Sequence, residues 1–358
     1  MIYNTFTASN SYKGFYSLFD EFLRENNDEK IFLIKGGPGC GKSTFMKKIA
    51  SKFEKEGYNI ESILCSSDPD SLDGIKIQEK GITVIDATSP HAIDMKYPGV
   101  CDSIIDLSRY WDEKKLLSNK KDIIALSDTI SKEYKSVYSI LSVAGILYSS
   151  NITDSNKVIY EKTANDYISK HLTHNGFVPL ETKGICKKRI LSAINCKGTI
   201  TLNSTITELC DNTLIIDDES LCVEPIMKKI LSYLQKNGYD IIAFYNPLFP
   251  KKLDHIILPK ERYGFFTTNK LFNININDSL KSKKIDSTKF LDKEKYEDIK
   301  ALYSYKKRIV SKLIADATEK LKTIKDMHDE LEKYYIDAMD YDRINKFSEE
   351  FINSLFCC

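Results

Sequence analysis

The stretch Ile31-Phe-Leu-Ile-Lys-Gly-Gly-Pro-Gly-Cys-Gly-Lys-Ser-Thr44 reads as a buried strand, a glycine-rich loop and the first turn of a helix. Gly36, Gly41, Lys42 and Ser43 fit the G-x-x-x-x-G-K-[ST] spacing of a phosphate-binding loop. The glycines let the backbone curl so that its N–H groups converge on an anion, and the helix N-terminus adds its dipole. Gly36, Gly37, Pro38, Gly39, Cys40, Gly41, Lys42, Ser43 and Thr44 are therefore the expected nucleotide contacts. Lys42 is expected to reach the β- and γ-phosphates, and Ser43 to offer its hydroxyl to Mg²⁺. The context is the required one. Ile31–Ile34 is apolar, and Phe45, Ile49 and Phe53 make a helical stripe behind the loop.

Outward from this stretch, Ile2–Ala8 reads as a strand, and Phe15, Leu18, Phe19 and Phe22 recur at helical spacing up to Asn26. Asn59–Cys65 reads as a strand leading into the acidic loop Ser66–Asp73, and Gly74–Lys80 as a small hairpin. Ile82-Thr-Val-Ile-Asp86 is an apolar strand ending in a carboxylate, which suits a second Mg²⁺ contact held through the ion's water shell. An Asp that merely starts a turn would look the same. No second acid follows Asp86, so the group that polarises water must come from elsewhere: Asp68, Asp70, Asp73 and His91 are the candidates. Ser103–Leu107 reads as one more strand. Helical patterning runs from about Leu117 to His174, with His171 and His174 expected at its surface. Lys293–Ala338 has a single apolar face and reads as one long helix.

A shift of 181 residues lays Phe45–Ile60 over Ile226–Ile241, and Pro69, Leu72, Asp73 and Ile75 over Pro250, Leu253, Asp254 and Ile256. Lys13-Gly14 is echoed by Lys197-Gly198 at a slightly different offset. So many matches on one diagonal imply duplication of a whole unit. The second copy has lost the chemistry. Val223 stands at the position of Lys42, Glu224 at that of Ser43, Asp217 at that of Gly36, and Thr267 at that of Asp86. Three carboxylates, Asp217, Asp218 and Glu219, are expected to repel phosphate there.

The expected fold is therefore α/β: two tandem P-loop NTPase-type units with mainly parallel sheets, each followed by an α-helical extension. The divisions are 1–116, 117–176, 177–290 and 291–358. The 358 residues carry a net charge of +1, giving no global field for nucleic acid or anionic membrane. No apolar run reaches membrane-spanning length, and no signal-peptide pattern opens the sequence. Nine cysteines occur without a Cys-x-x-Cys pair. Reduced thiols and a cytoplasmic location are the expectation. Cys357 and Cys358 read as an exposed tail.

The doubled layout, the Lys35–Thr44 loop, Ser66–Gly74, Asp86-Ala-Thr-Ser-Pro-His91, Tyr110-Trp-Asp-Glu113 and His328-Asp-Glu-Leu-Glu-Lys-Tyr-Tyr335 resemble an uncharacterised family of tandem P-loop ATPases from spore-forming, low-GC Gram-positive bacteria. The resemblance covers nearly the whole chain and implies a cytosolic nucleoside-triphosphate-binding protein. It also raises interest in His91 as a phosphate contact. In the family pattern the second loop is often intact, and this chain departs there. The expected ligands are ATP and Mg²⁺. The expected function is an ATPase with one working site. The alternatives are a small-molecule or nucleoside-type kinase using Asp68 or Asp73 as base, and a non-catalytic nucleotide switch that docks a protein partner or a second copy. No Asn-Lys-x-Asp motif is found at the end of a strand, which favours adenine over guanine.

Overall fold

A computed structural model describes residues 2–23, 25, 29–90, 92–181, 183–276 and 280–356. His91, Cys357 and Cys358 lie outside the described residues. The first half opens with β1 (Ile2–Thr5), then β2 (Ala8–Ser11), β3 (Gly14–Ser17) and α1 (Phe19–Phe22). The glycine-rich loop joins β4 (Lys30–Lys35) to α2 (Lys42–Lys55), followed by β5 (Ile60–Leu64), β6 (Leu72–Ile77), β7 (Ile82–Asp86) and β8 (Asp102–Asp106). Three helices close this half: α3 (Glu113–Ser118), α4 (Lys120–Asn156) and α5 (Glu161–His174). The second half runs β9 (Cys186–Ile190), β10 (Ser192–Asn195), β11 (Gly198–Thr201), α6 (Asn203–Leu209), β12 (Asn212–Asp217), α7 (Glu224–Lys236), β13 (Ile241–Tyr245), β14 (Leu253–Leu258), β15 (Tyr263–Thr268) and β16 (Lys281–Asp286). It ends in α8 (Lys293–Ala338) and α9 (Tyr341–Phe356).

Each half builds one six-stranded mixed sheet, and the strand orders are the same. The first is β1-β5-β6-β7-β4-β8 and the second, read from its far edge, β9-β13-β14-β15-β12-β16. In both, the third strand runs antiparallel to its two neighbours and the other pairings are parallel. Even the irregularities repeat. The register slips between Ile63 and Leu64 in one sheet and between Phe244 and Tyr245 in the other, positions that the 181-residue shift superimposes.

Two readings of the first half need correction. Gly74–Lys80 is no hairpin: its first residues belong to β6, a central strand of the sheet. Phe15–Asn26 is not one helix. Gly14, at φ +95°, closes a tight turn with Tyr12 and Lys13, so Phe15 and Tyr16 pair with Asn10 and Ser9 in a hairpin. Among the described residues of that stretch only Phe19–Phe22 is helical, its two phenylalanines buried. The second half repeats the device, with Gly198 at φ +105° between β10 and β11.

The helices that follow the two long ones are exchanged between halves. α4 and α8 pack along each other in one apolar cluster that includes Val137, Leu141, Val310 and Ile314. Beyond them each chain segment crosses to the other half. α5 delivers Ala164, Ile168 and Leu172 to the core around α7. α9 delivers Ile344, Ile352 and Leu355 to the core around α2. There Phe347 stacks on Phe45 (ring centroids 5.9 Å apart) and Phe356 on Phe53 (4.2 Å). The crossings are pinned by matching backbone bonds: Asp112 N–H to Ala338 O (2.7 Å) and Asp340 N–H to Tyr110 O (2.8 Å) on one side, Asp292 N–H to Val158 O (2.7 Å) and Tyr160 N–H to Phe290 O (2.6 Å) on the other. A third two-fold-like contact joins Phe6 and Ile190, which exchange both backbone hydrogen bonds at 2.9 Å. Next to it Arg189, buried, spans Glu61 and Glu25. Burial alone would push the Glu61 carboxyl up, but the guanidinium overrides it and holds it at about 2.

Among the described residues, no helix is long and apolar enough to cross a membrane.

Candidate functional site

β4 is flanked on both sides by parallel strands, β7 and β8, so its C-terminal end opens on the edge of an α/β sheet where ligands gather. The chain leaves it through Gly36–Gly41 and enters α2 at Lys42. Gly39 (φ +66°) and Gly41 (φ +85°) adopt the left-handed backbone that glycine tolerates best. At Gly36 a Cβ would lie 2.5 Å from the Cys40 sulfur, so a side chain there would have to displace it. The loop is thus wound tightly over the N-terminus of a 14-residue helix whose first backbone N–H groups find no side-chain cap.

Lys42 folds its ammonium back over this loop. Its Nζ donates to Gly37 O at 2.8 Å and lies 3.6 Å from Asp86 Oδ2. Asp86 ends β7, opposite Ile34 on β4, and its other oxygen accepts from Thr88 N–H at 2.9 Å. Ser43 Oγ accepts from Leu72 N–H at 2.9 Å, which ties the start of α2 to β6. Lys35 Nζ donates to Ala87 O (2.7 Å) and Ile93 O (3.1 Å), fastening the segment after Asp86 to the loop strand. Lys42, Ser43 and Asp86 therefore lie around the two strand ends β4 and β7. The arrangement offers backbone amides, one ammonium, one hydroxyl and one carboxylate.

The other candidates are placed differently. Asp68 lies in the loop after β5; its Oδ1 accepts from Asp70 N–H and its Oδ2 is 3.5 Å from Lys325 Nζ. Asp73 is buried within β6, where it helps burial push the Cys65 thiol up. His91 falls outside the described residues. His171 is not at the surface: it is buried under the second sheet, its Nε2 2.7 Å from Tyr263 Oη. Asn119-Lys-Lys-Asp122 has the spacing of a guanine-reading tetrad but opens α4 rather than following a strand.

Sequence reasoning missed what faces the loop. The end of α8 and the start of α9, from the other half, lie directly on it. A Cβ at Gly37 would meet the Tyr335 ring at 2.6 Å, and one at Gly39 would meet Glu332 O and Ile336 Cγ1 at 3.0 Å. Tyr341 Oη donates to Gly39 O at 2.7 Å. Glu332 is held below the usual carboxylate range, first by its hydrogen bond to His328, with Lys42 adding to the effect. The signal was present as His328–Tyr335, but nothing in a helical pattern says that it folds back on residues some 300 positions earlier.

Residues 16–76 match a family model described as Nephrocystin 3, N-terminal. The matched segment runs from the end of β3 through the glycine-rich loop, α2 and β5 to most of β6. No curated protein and no solved structure matches the chain.

Proposed function

We propose that this chain is a Mg²⁺-dependent ATP-binding protein and ATPase with one working P-loop site, Gly36–Thr44. The observation that supports it most is Lys42 Nζ poised between the Gly37 carbonyl and the Asp86 carboxylate, at the mouth of a glycine loop that opens a helix. Three further features agree: the spacing of the loop, the strand order around it and the partial match to the Nephrocystin 3, N-terminal model.

In this reading the amides of Gly39–Thr44 and the Lys42 ammonium carry the charge that spreads over the transferred phosphoryl. Ser43 Oγ, which accepts from Leu72 N–H, and Asp86 would hold the Mg²⁺, which would offset phosphate charge there. Lys42 exchanges the Gly37 carbonyl for a phosphate oxygen when ATP enters. Ala87 follows Asp86, so the water-orienting group would come from another element; Glu332, whose backbone O and Cβ lie against Gly39 and whose carboxylate feels Lys42, is one candidate. The kinase reading is less favoured, since Asp68 is engaged by Lys325 and Asp73 is buried in a strand. The switch reading has one observation of its own: the α8–α9 corner lies on the loop, so nucleotide must shift a helix rooted in the other half.

Purified full-length protein is expected to release phosphate from ATP only with Mg²⁺, and Lys42→Ala to lower the rate at least about 100-fold, in line with losing one phosphate-stabilising group. Equal rates in the two proteins would refute the ATPase reading. Tight ATP binding without turnover would favour the switch.

A further inference from the structure

The degenerate loop after β12 is not an empty repulsive surface. Asp217 is exposed, and Glu219 pairs with Lys307 of α8. Asp218 is different: it is fully buried and turned into the loop. Its Oδ1 accepts from Cys222 N–H at 2.8 Å and Val223 N–H at 3.1 Å, at the start of the 13-residue helix α7. The 181-residue shift lays those two amides over Gly41 and Lys42. Among the described residues its Oδ2 finds no hydrogen-bond partner, and it lies 3.4 Å from Lys252 Nζ, itself fully buried. Lys252 also binds Asp254, which in turn accepts from Asn246 Nδ2 at 2.8 Å. A carboxylate on helix N-terminal amides, faced by one ammonium, is the charge pattern of a bound phosphate oxygen.

We propose that Asp218 is a built-in stand-in for phosphate: the second loop is permanently liganded by its own chain, with Lys252 as the cation that a nucleotide site would take from its loop. The second half therefore keeps a loaded loop shape without binding nucleotide, and removing the Asp218 carboxylate uncovers a latent site for inorganic phosphate. Substitution of Gly37 by Asp218 supplies the anion, and Lys252, at the position of Ser71, supplies the charge lost when Val223 took the place of Lys42. The four side chains around it, Lys252, Asp254, Asn246 and Tyr148, are all buried, so no solvent competes for the position.

The test measures the apparent melting temperature of full-length parent and Asp218→Gly in phosphate and in chloride at matched ionic strength. Asp218→Gly is expected to melt lower than the parent in chloride by roughly 3 °C or more, since two buried amides lose their acceptor and Lys252 keeps only Asp254. Phosphate is expected to raise the variant by clearly more than it raises the parent. Asp218→Asn, which keeps an acceptor for the amides but drops the charge, is expected to fall between them. It is read alone if the glycine variant does not accumulate. Equal phosphate responses in variant and parent overturn the proposal. Lys42→Ala carried in all proteins removes the first loop's contribution. The outcome is therefore independent of whether ATP is hydrolysed there, and failure of one reading leaves the other standing.

Discussion

At the residue scale the loop works by what its glycines exclude. Gly37 has the Tyr335 ring so close that a Cβ would have to displace it. Gly37→Ala is expected to destabilise the protein by about 1–3 kcal/mol, the usual cost of overpacking. Tyr335→Ala in the same chain should restore part of that. A double-mutant cycle by urea unfolding reads the coupling, and strict additivity would show that the two sites do not touch. Asp218 teaches the complementary lesson. Its charge is legible in the sequence, where it predicts repulsion of phosphate. Its partner Lys252 is far along the chain, and only the fold brings them together. Charge counts describe a loop in water, whereas a buried carboxylate answers to the groups packed against it.

At the scale of elements, periodicity was a good guide where a helix is long. Lys293–Ala338 is helical over the span its apolar face marks out. It failed for Phe15–Asn26, because a two-residue turn at Tyr12-Lys13 recruits Phe15 and Tyr16 into a strand before helical spacing can act. Nor does periodicity tell a helix which sheet to cover. The apolar face of α9 is plain in Ile344, Ile352 and Leu355, yet its place on α2 is set by the crossing at Met339–Asp340. Leu355, 2% exposed, anchors that contact. Leu355→Ala is expected to cost about 2–5 kcal/mol. It should also lower hydrogen-exchange protection in β4 and α2, far away in sequence. Unchanged protection there would contradict the exchange of helices between halves.

For the whole molecule, the repeat in sequence and the equal strand orders describe one architecture built twice and tied by reciprocal arms. The strand order itself was not legible, because the antiparallel β6 and β14 occupy sheet centres that a βα pattern would fill with parallel strands. The sheets also carry the pH response. His255, buried in β14 and accepting from Thr267 N–H, is pushed down to about 4 by loss of solvent. A base depressed in the folded state contributes full stability above the ordinary histidine value of about 6.5, and that stability is lost as pH falls from there down through the folded value of about 4. Asp218, raised by burial to about 6, acts in the opposite sense. Urea midpoints at pH 7.5 and pH 5 should therefore separate the two effects by comparison. The parent is expected to lose about 2 kcal/mol more than His255→Asn over that interval. Equal losses would show that His255 titrates normally.

The proposed single-site ATPase, with its second loop proposed to be self-liganded, requires one nucleotide per chain, held by Gly36–Thr44. Calorimetric titration of the full-length protein with a non-hydrolysable ATP analogue and Mg²⁺ measures it directly. The expected result is one site per chain, lost in Lys42→Ala and weakened in Asp86→Asn. No binding, or binding that Lys42→Ala leaves unchanged, would contradict the account.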